Sequence, residues 1–369
     1  MPHAISLGVG EPDFDTPWHV RSEGIRSLEK GRTFYTSNSG LIELRQEICK
    51  WYQRKYNVLY DYKTEALLTV GGSEGIDVAL RAMLDPGDEV IIPEPCYVSY
   101  VPCVQLIGAV PVTIELKNEN QFRLTPEELL AAITDKTKIL ILAFPSNPTG
   151  AVMTKEDLEP IAKICQEKDI YVISDEIYSE LTYGGQKHCS ISSLPGMKER
   201  TIVINGFSKA YAMTGWRIGF IAGPEWIVKA CNKLQGQYTS GPCSVSQKAA
   251  EAAYTGSQAP VEEMRQAFER RRDLIVKLAK EVPGFEVNVP EGAFYLFPKC
   301  SSFFGKSAGD RKIENSDDLA MYLLEDAHVA CVGGTSFGAP ECIRMSYATS
   351  DENIVEAIRR IKEALAKLK

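Results

Sequence analysis

Between residues 67 and 223 the chain alternates short apolar runs with stretches of helical periodicity. The apolar runs are rich in Ile, Val and Leu and are bounded by Gly, Pro or Asp: 67–70, 89–93, 138–144, 170–174, 201–205 and 218–222. Several are apolar throughout, as is typical of strands buried on both faces. Helical stretches at 75–84, 126–133 and 156–167 lie between them. This alternation predicts a three-layer α/β/α major domain with a mostly parallel sheet.

The C-terminal part of the chain has a different pattern. A charged amphipathic stretch at 262–281 predicts a long helix whose i,i+4 charge pairs keep much of it in solvent. Short apolar runs then alternate with helices, and the chain closes with a predicted helix at 351–368. This mixture predicts a smaller α+β domain. The apolar runs are 285–289, 293–297, 329–332 and 343–347. We therefore expect a major domain at 35–262 and a small domain formed by 1–34 and 263–369.

Composition excludes several classes of protein. The chain has 369 residues, 44% of them hydrophobic and 24% charged, as in ordinary globular proteins. The net charge is −8 without a Lys/Arg block, so we expect no nucleic acid and no anionic membrane as partner. The longest apolar run, 139–144, is far below the ~18 residues of a membrane span. The first residues show no signal pattern, and we expect a cytoplasmic protein.

The ten cysteines include no Cys-x-x-Cys pair, and the four histidines lie far apart. Scattered cysteines in a chain of this length indicate reduced thiols rather than a disulfide framework. None of the histidines has a Cys or an acid at zinc-ligand spacing, so we expect no metal site.

Lys209 has the surroundings that pyridoxal phosphate needs. It follows Phe207 and Ser208, and Arg217 comes eight residues later. An amine can form an imine, and an arginine fork with a neighbouring hydroxyl suits a phosphate dianion. Asp175 comes directly after the apolar run 170–174, at the carboxyl end of the predicted strand. Open α/β sheets bind ligands at these strand ends, and a carboxylate there can keep a pyridinium protonated. The alternative for Asp175 is a turn residue or a helix cap.

The segment Gly-Gly-Ser-Glu-Gly at 71–75 follows a predicted strand and opens a predicted helix. Glycines let the backbone approach a ligand, and a helix N-terminus offers free N–H groups to a phosphate. A plain turn with Ser73 as N-cap is the alternative.

Four further polar or aromatic residues follow or interrupt predicted strands. Asn147 lies in a rigid turn at 145–150, from which it could donate to a ring oxygen, and Tyr178 lies three residues after Asp175. Tyr97 could stack on an aromatic ring, although core or surface packing is the usual role. Arg344 interrupts an apolar strand pattern and needs a partner, either a substrate carboxylate or a structural ion pair.

Taken together, these segments make the chain resemble the pyridoxal-phosphate-dependent aminotransferases of fold type I, class I, the aspartate/aromatic amino-acid aminotransferase family. The similarity runs from Ser-Leu-Gly-Val-Gly-Glu-Pro-Asp-Phe at 6–14 to the C-terminal helix. The motifs that carry it are 147–150, 175–178, 207–209 with Arg217, 292–295 and 343–344. One feature differs: Gly206 stands three residues before the lysine, where many members have serine or threonine.

The resemblance implies roles around the cofactor ring. Lys209 would hold pyridoxal 5′-phosphate as a covalent aldimine, and Asp175 would contact the pyridine nitrogen. Tyr178 and Asn147 would contact the ring oxygen, and Tyr97 would stack on the ring. The expected catalytic residues are therefore Lys209, Asp175 and Tyr178.

The resemblance also implies how phosphate and substrate are held. The remaining cofactor-binding residues would be Gly72, Ser73, Glu74, Ser208 and Arg217. Arg344 would bind the substrate α-carboxylate, with Asn147 and the backbone of Gly10 beside it. Tyr35 would reach the phosphate of a partner subunit, which implies a homodimer.

The implied function is an aminotransferase that moves an amino group from an L-amino acid, aspartate or aromatic, to 2-oxoglutarate by a ping-pong mechanism. Phe14, Trp18 and Tyr35 could form an aromatic-tolerant pocket. One alternative is a C–S β-lyase on the same scaffold, and another is a cofactor-binding regulator without turnover. A phosphate-binding protein unrelated to pyridoxal would leave Asp175, Lys209 and Arg344 unexplained.

Overall fold

The computed structural model describes residues 3–369. Its strands, in chain order, are β1 (Ile5–Ser6), β2 (Ala66–Thr69), β3 (Glu89–Glu94), β4 (Val110–Glu115), β5 (Thr137–Ala143), β6 (Tyr171–Asp175), β7 (Thr201–Gly206), β8 (Gly219–Ala222), β9 (Tyr295–Leu296), β10 (Ser307–Ala308), β11 (Arg311–Lys312), β12 (Val329–Ala330), β13 (Val332–Gly333) and β14 (Ile343–Ser346).

The α-helices, in chain order, are α1 (Trp18–Glu29), α2 (Ile42–Tyr56), α3 (Gly71–Met83), α4 (Tyr100–Leu106), α5 (Pro126–Ala132), α6 (Lys155–Glu167), α7 (Glu225–Tyr238), α8 (Ser244–Thr255), α9 (Ala259–Ala279), α10 (Ser316–Asp326) and α11 (Asp351–Leu365). None of the helices in this described part of the chain combines the length and the apolar character needed to cross a bilayer.

A seven-stranded sheet forms the centre of the larger region, in the order β2-β8-β7-β6-β5-β3-β4. The pairs among β3 to β7 are parallel, and β8 runs antiparallel to both β2 and β7. Helices α3, α4 and α7 share an apolar cluster with one face of this sheet. Helices α2, α5, α6 and α8 cover the other face. The predicted three-layer α/β/α architecture is confirmed.

Each of the six predicted strands is present, with ends shifted by at most a few residues. The edge strand β4 was not predicted. It pairs only with β3, and its residues are mostly half-buried or exposed, so it needs no continuous apolar run. Helix α3 begins at Gly71 rather than at residue 75, and its N-cap is Val70. The alternative in which Ser73 caps this helix is therefore wrong.

The smaller region contains the antiparallel sheet β13-β14-β9 and helices α9, α10 and α11, which share one apolar cluster. The predicted long helix is α9, and it buries Met264, Phe268 and Ile275 in that cluster. The predicted strand at 285–289 is wrong, because this segment contributes only a single bridge between Glu286 and Lys299. Helix α1 packs on α8 of the larger region. The domain boundaries given above stay a prediction.

Candidate active site

A cavity of about 600 Å³ lies where the carboxyl ends of the parallel strands meet. Asp175 is the last residue of β6, and Asn147 and Lys209 lie in the turns after β5 and β7. The predicted site residues on the cavity wall are Gly10, Gly72, Ser73, Tyr97, Asn147, Asp175, Tyr178, Ser208, Lys209, Arg217 and Arg344. Glu74 and Tyr35 are not part of this wall. The parallel topology thus brings together residues that the sequence places far apart.

The amine of Lys209 is mostly shielded from solvent. Its Nζ donates a hydrogen bond of 2.5 Å to the carbonyl oxygen of Gly10. Burial lowers the pKa of Lys209 to about 8; Arg217 and Arg344 act in the same direction, whereas Glu11 and Asp175 oppose it. A desolvated lysine with a lowered pKa has a substantial neutral fraction near pH 8, and only the neutral form of an amine can act as a nucleophile or a base.

Asp175 is buried and accepts two hydrogen bonds. The hydroxyl of Tyr100 donates to its Oδ2 at 2.8 Å, and the N–H of Ile177 donates to its Oδ1 at 3.1 Å. Burial raises the pKa of Asp175, whereas these two hydrogen bonds lower it. Sequence reasoning missed Tyr100. The signal was its position three residues after Tyr97, which puts the two rings 5.6 Å apart, edge to face, beside the same cavity.

At one end of the cavity the backbone forms a cradle for an anion. Gly71, at φ +73°, has no Cβ, and a Cβ there would lie 2.4 Å from Nη2 of Arg217. A Cβ on Gly219 would lie 2.7 Å from the backbone nitrogen of Gly72. These glycines let the guanidinium and β8 approach the start of α3. The first-turn N–H groups of Gly72 and Ser73 have no acceptor within the helix, so they can bind a phosphate.

The side chain of Glu74 has a structural role at this end. Its Oε2 accepts from the N–H of Val70 at 2.5 Å, and its Oε1 accepts from the hydroxyl of Thr239 at 2.5 Å. The carboxylate thus satisfies the start of α3 and links it to the end of α7. Both oxygens are turned toward protein donors, and a direct contact of this carboxylate with the cofactor is not supported by the geometry.

At the other end of the cavity Arg344 is buried in β14. Its Nη1 donates to Oδ1 of Asn147 at 2.9 Å, and its Nη2 donates to the carbonyl oxygen of Gly8 at 2.7 Å. The guanidinium carbon lies 4.5 Å from the ring centroid of Tyr295 and 4.8 Å from that of Phe337. Within residues 3–369, Nε of Arg344 has no hydrogen-bond partner. A buried charge with an unused donor is suited to a carboxylate.

Asn147 and Tyr178 connect the two ends. Because Oδ1 of Asn147 accepts from Arg344, the amide N–H₂ remains able to donate toward the cavity. The hydroxyls of Tyr178 and Tyr295 form a hydrogen bond of 2.7 Å, and burial raises the pKa of Tyr178 well above its ordinary value. Gly10 packs on this pair, since a Cβ there would lie 2.5 Å from the hydroxyl of Tyr295. The phenol of Tyr178 therefore stays neutral and can donate.

The residues considered for an aromatic pocket lie elsewhere in this chain. Tyr35 is 99% exposed and Trp18 is 65% exposed, and Phe14 packs edge-on against Phe268 at 5.5 Å. None of these three belongs to the cavity wall. The apolar wall is formed instead by Val9, Val98, Val332 and Phe337, together with Tyr295 and Ile76. The role of Tyr35 on a partner subunit stays a prediction.

Known proteins that are similar to this chain in sequence and those similar to it in structure are both aminotransferases. The family model "Aminotransferase class I and II" matches residues 2–361. An aspartate aminotransferase of Bacillus subtilis is 46% identical over 98% of this chain and 91% of its own length. An aromatic-amino-acid aminotransferase of Thermococcus litoralis is 42% identical over 99% of this chain and 92% of its own. The structure of the Rhizobium meliloti aspartate aminotransferase, 41% identical, superposes with a TM-score of 0.95 over 99% of this chain and 92% of that one.

Proposed function

The chain belongs to the class I and II aminotransferases, and we propose from this that it uses pyridoxal 5′-phosphate at Lys209 to move an amino group from an L-amino acid to 2-oxoglutarate. One observation carries the proposal. A lysine with a lowered pKa, a buried aspartate and a buried arginine with an unused N–H face one cavity. An amine, an acid and a carboxylate anchor are the groups that this reaction needs.

The chemistry of the cavity fits the cofactor at each of its polar groups. The helix start, Ser208 and Arg217 would hold the phosphate, and Asp175 would face the ring nitrogen. Asn147 and Tyr178 would donate to the ring oxygen, with Tyr97 stacked on the ring. When bound, pyridoxal phosphate supplies an electron sink for the electron pair left at the substrate Cα. The protein's part is to hold the ring, keep its nitrogen protonated and exclude water.

Lys209 would have two successive tasks. It holds the cofactor while no substrate is present, and its freed amine then removes the proton from the substrate Cα. Its lowered pKa suits both tasks, because a lysine that stays protonated at pH 8 could perform neither. In the second half of the reaction the same amine returns a proton to the Cα of the incoming 2-oxo acid. This order predicts ping-pong kinetics.

Arg344 would fix the α-carboxylate through the remaining N–H groups of its two terminal nitrogens, with Asn147 and the Gly10 backbone beside it. The cations on the wall formed by residues 3–369 are Lys209, Arg217 and Arg344. All three have tasks at the cofactor or the α-carboxylate, and the remaining wall is largely apolar. This supports an aromatic amino acid as donor. Aspartate as donor, and 2-oxoglutarate as acceptor, would need a cation supplied from a partner subunit.

We propose a homodimer in which Tyr35 reaches the partner's phosphate. Tyr35 and its neighbour Phe34 are 99% and 82% exposed in the single chain. Two adjacent aromatic side chains this exposed support burial against a second copy, since aromatic residues are enriched in interfaces.

The experiment is a half-reaction screen. Purified protein with its cofactor is mixed with single amino acids, and the visible absorption of the cofactor is followed. Bleaching with phenylalanine or tyrosine supports the aromatic donor, whereas bleaching with aspartate and glutamate alone identifies an aspartate donor. If no amino acid bleaches the band, the proposed reaction is wrong. If pyruvate and ammonia accumulate without an added 2-oxo acid acceptor, the reaction is β-elimination instead.

A further inference from the structure

A segment near the N-terminus contributes Val9, Gly10 and Glu11 to the cavity wall. We call residues 7–16 the strap. It begins on the smaller region, where the N–H of Leu7 donates to the carbonyl of Ala330 at 2.8 Å and its carbonyl accepts from Ser346 at 2.7 Å. It ends on the larger region, where the hydroxyl of Thr16 donates to the carbonyl of Ala212 at 2.6 Å. The strap therefore bridges the two regions.

Two carbonyl groups of the strap contact the two cations that the proposed reaction uses on the substrate side. The carbonyl of Gly8 accepts from Arg344 at 2.7 Å, and that of Gly10 accepts from Lys209 at 2.5 Å. A hydrogen bond from a charged donor is short and directional. The position of the strap therefore influences where the guanidinium and the amine point.

An ion pair holds the middle of the strap. Nη1 and Nη2 of Arg271 in α9 lie 2.7 and 3.0 Å from Oδ1 and Oδ2 of Asp13, so the guanidinium binds the carboxylate in a bidentate manner. The guanidinium also stacks near the rings of Phe14 and Phe268, at 5.3 and 5.8 Å, and its Nε lies 3.4 Å from Oδ1 of Asp351.

This pair differs from an ordinary surface ion pair. The side chain of Arg271 is only 12% exposed and that of Asp13 is 30% exposed. An isolated exposed pair contributes little to stability, whereas a two-pronged, largely shielded pair over an aromatic ring is stronger and fixes geometry. The other charged residue of the strap's second half, Asp15, is 84% exposed and lies 3.4 Å from Arg21.

We propose that Asp13 and Arg271 are positioning residues that keep the strap closed over the cavity, so that its carbonyls orient Lys209 and Arg344 for the amino acid. This inference rests on the proposed function. If the pair is broken, the strap spends part of its time away from the cavity. The apparent affinity for the amino acid then falls in proportion to the fraction of molecules in which the strap is in place. The phosphate contacts of the cofactor should not change, because the phosphate cradle contains no strap residue.

The test compares Asp13→Asn and Arg271→Lys with the control Asp15→Asn. The amino-acid half-reaction is measured at increasing substrate concentration. We expect the amino-acid concentration at half-saturation to rise about tenfold in both variants of the ion pair, as for loss of a charge-assisted pair, with the limiting rate changed less than about threefold. The control should stay within about twofold of the wild type. Half-saturation unchanged in Asp13→Asn would overturn the inference.

A second readout does not depend on turnover. Amide hydrogen exchange of residues 8–14 is measured in the cofactor-bound proteins, together with the cofactor dissociation constant and the melting temperature. We expect faster exchange confined to the strap and an unchanged cofactor dissociation constant. Unchanged exchange, or a cofactor affinity that falls in parallel with the melting temperature, would overturn a positioning role. If no amino acid converts the wild type, the proposed reaction fails, and hydrogen exchange still decides whether the Asp13–Arg271 pair holds the strap in place.

Discussion

The two ends of the cavity are built in different ways. The proposed phosphate end consists mainly of backbone at the start of α3, which Ser208 and Arg217 approach from the connection between β7 and β8. The carboxylate end consists of side-chain contacts between distant segments. Arg344 bonds Asn147 across 197 residues of sequence and Gly8 across 336. The first end therefore lies within the larger region, whereas the second depends on how the two regions of the molecule pack.

This difference predicts different mechanical properties. Backbone N–H groups at a helix start are held by the helix itself, so the phosphate end should keep its geometry even when other contacts are lost. The carboxylate end needs the strap, β14 and the turn after β5 to be in place together. Cofactor binding should thus be robust toward mutation at the carboxylate end, whereas substrate capture should be sensitive to it.

The largest effect is expected from Lys209→Ala, which removes the proposed base between the two ends. Turnover should fall at least about 10³-fold, within the range for a positioned general base. The phosphate end should still bind the cofactor without a covalent bond, which equilibrium dialysis would detect. A wild-type rate in single-turnover measurements would refute the assignment of Lys209.

Asp175→Asn tests the residue between the two ends. Replacing a preorganised charge should cost about 3 kcal/mol of transition-state stabilisation, or roughly a hundredfold in kcat/KM. Phosphate contacts remain, so the protein should still bind the cofactor. If kcat/KM falls less than tenfold, Asp175 is not the partner of the ring nitrogen.

Arg344→Gln and Arg217→Gln form a matched pair that tests the comparison directly. Arg344→Gln should raise half-saturation for the amino acid by roughly a hundredfold, on the scale of removing one partner of a buried charged contact, and leave cofactor affinity unchanged. Arg217→Gln should weaken cofactor binding by about tenfold, because one charged phosphate contact is lost. The comparison fails if the two variants show the same profile in titrations with cofactor and with amino acid.

Tyr100→Phe is expected to have a smaller effect at the shared centre. Loss of the hydrogen bond to Asp175 should raise the pKa of this carboxylate further and lower kcat/KM by about tenfold, as expected for a bond to a charged group. The control is Tyr60→Phe, which removes another buried phenol outside the cavity. An equal loss in both variants would show that packing, and not the contact with Asp175, explains the effect.

The smallest effect concerns pH. In the cofactor-free protein the amine of Lys209 should react with aldehydes faster as pH rises, and the rate should level off above about pH 8, because its pKa is lowered to about 8 from 10.5. Glu11→Gln should move this midpoint lower, since the carboxylate of Glu11 opposes the shift. Reductive labelling across the pH range measures the midpoint. A midpoint near 10.5 would mean that burial does not affect this amine.

Several features were predictable because they are local. Runs that are apolar throughout identified the central strands, and the residues directly after them identified Asp175, Asn147 and Lys209. Strand β4 was missed because an edge strand buries less and shows no continuous apolar run. The start of α3 was misplaced because glycines in a first turn resemble a loop in sequence. The hydrogen bonds that Glu74 accepts from Val70 and Thr239 could not be predicted from the sequence either.

The sequence by itself determined six of the seven strands of the central sheet, the helices α3, α5, α6, α9 and α11, the family and the polar residues at the strand ends. Parallel strands place their carboxyl ends at one edge, so these residues had to meet there. Only the tertiary structure decided the contacts of Tyr100 with Asp175, of Arg344 with Asn147 and of Asp13 with Arg271. Such contacts depend on how elements far apart in the chain pack against each other, and no periodicity or spacing along the chain encodes that orientation.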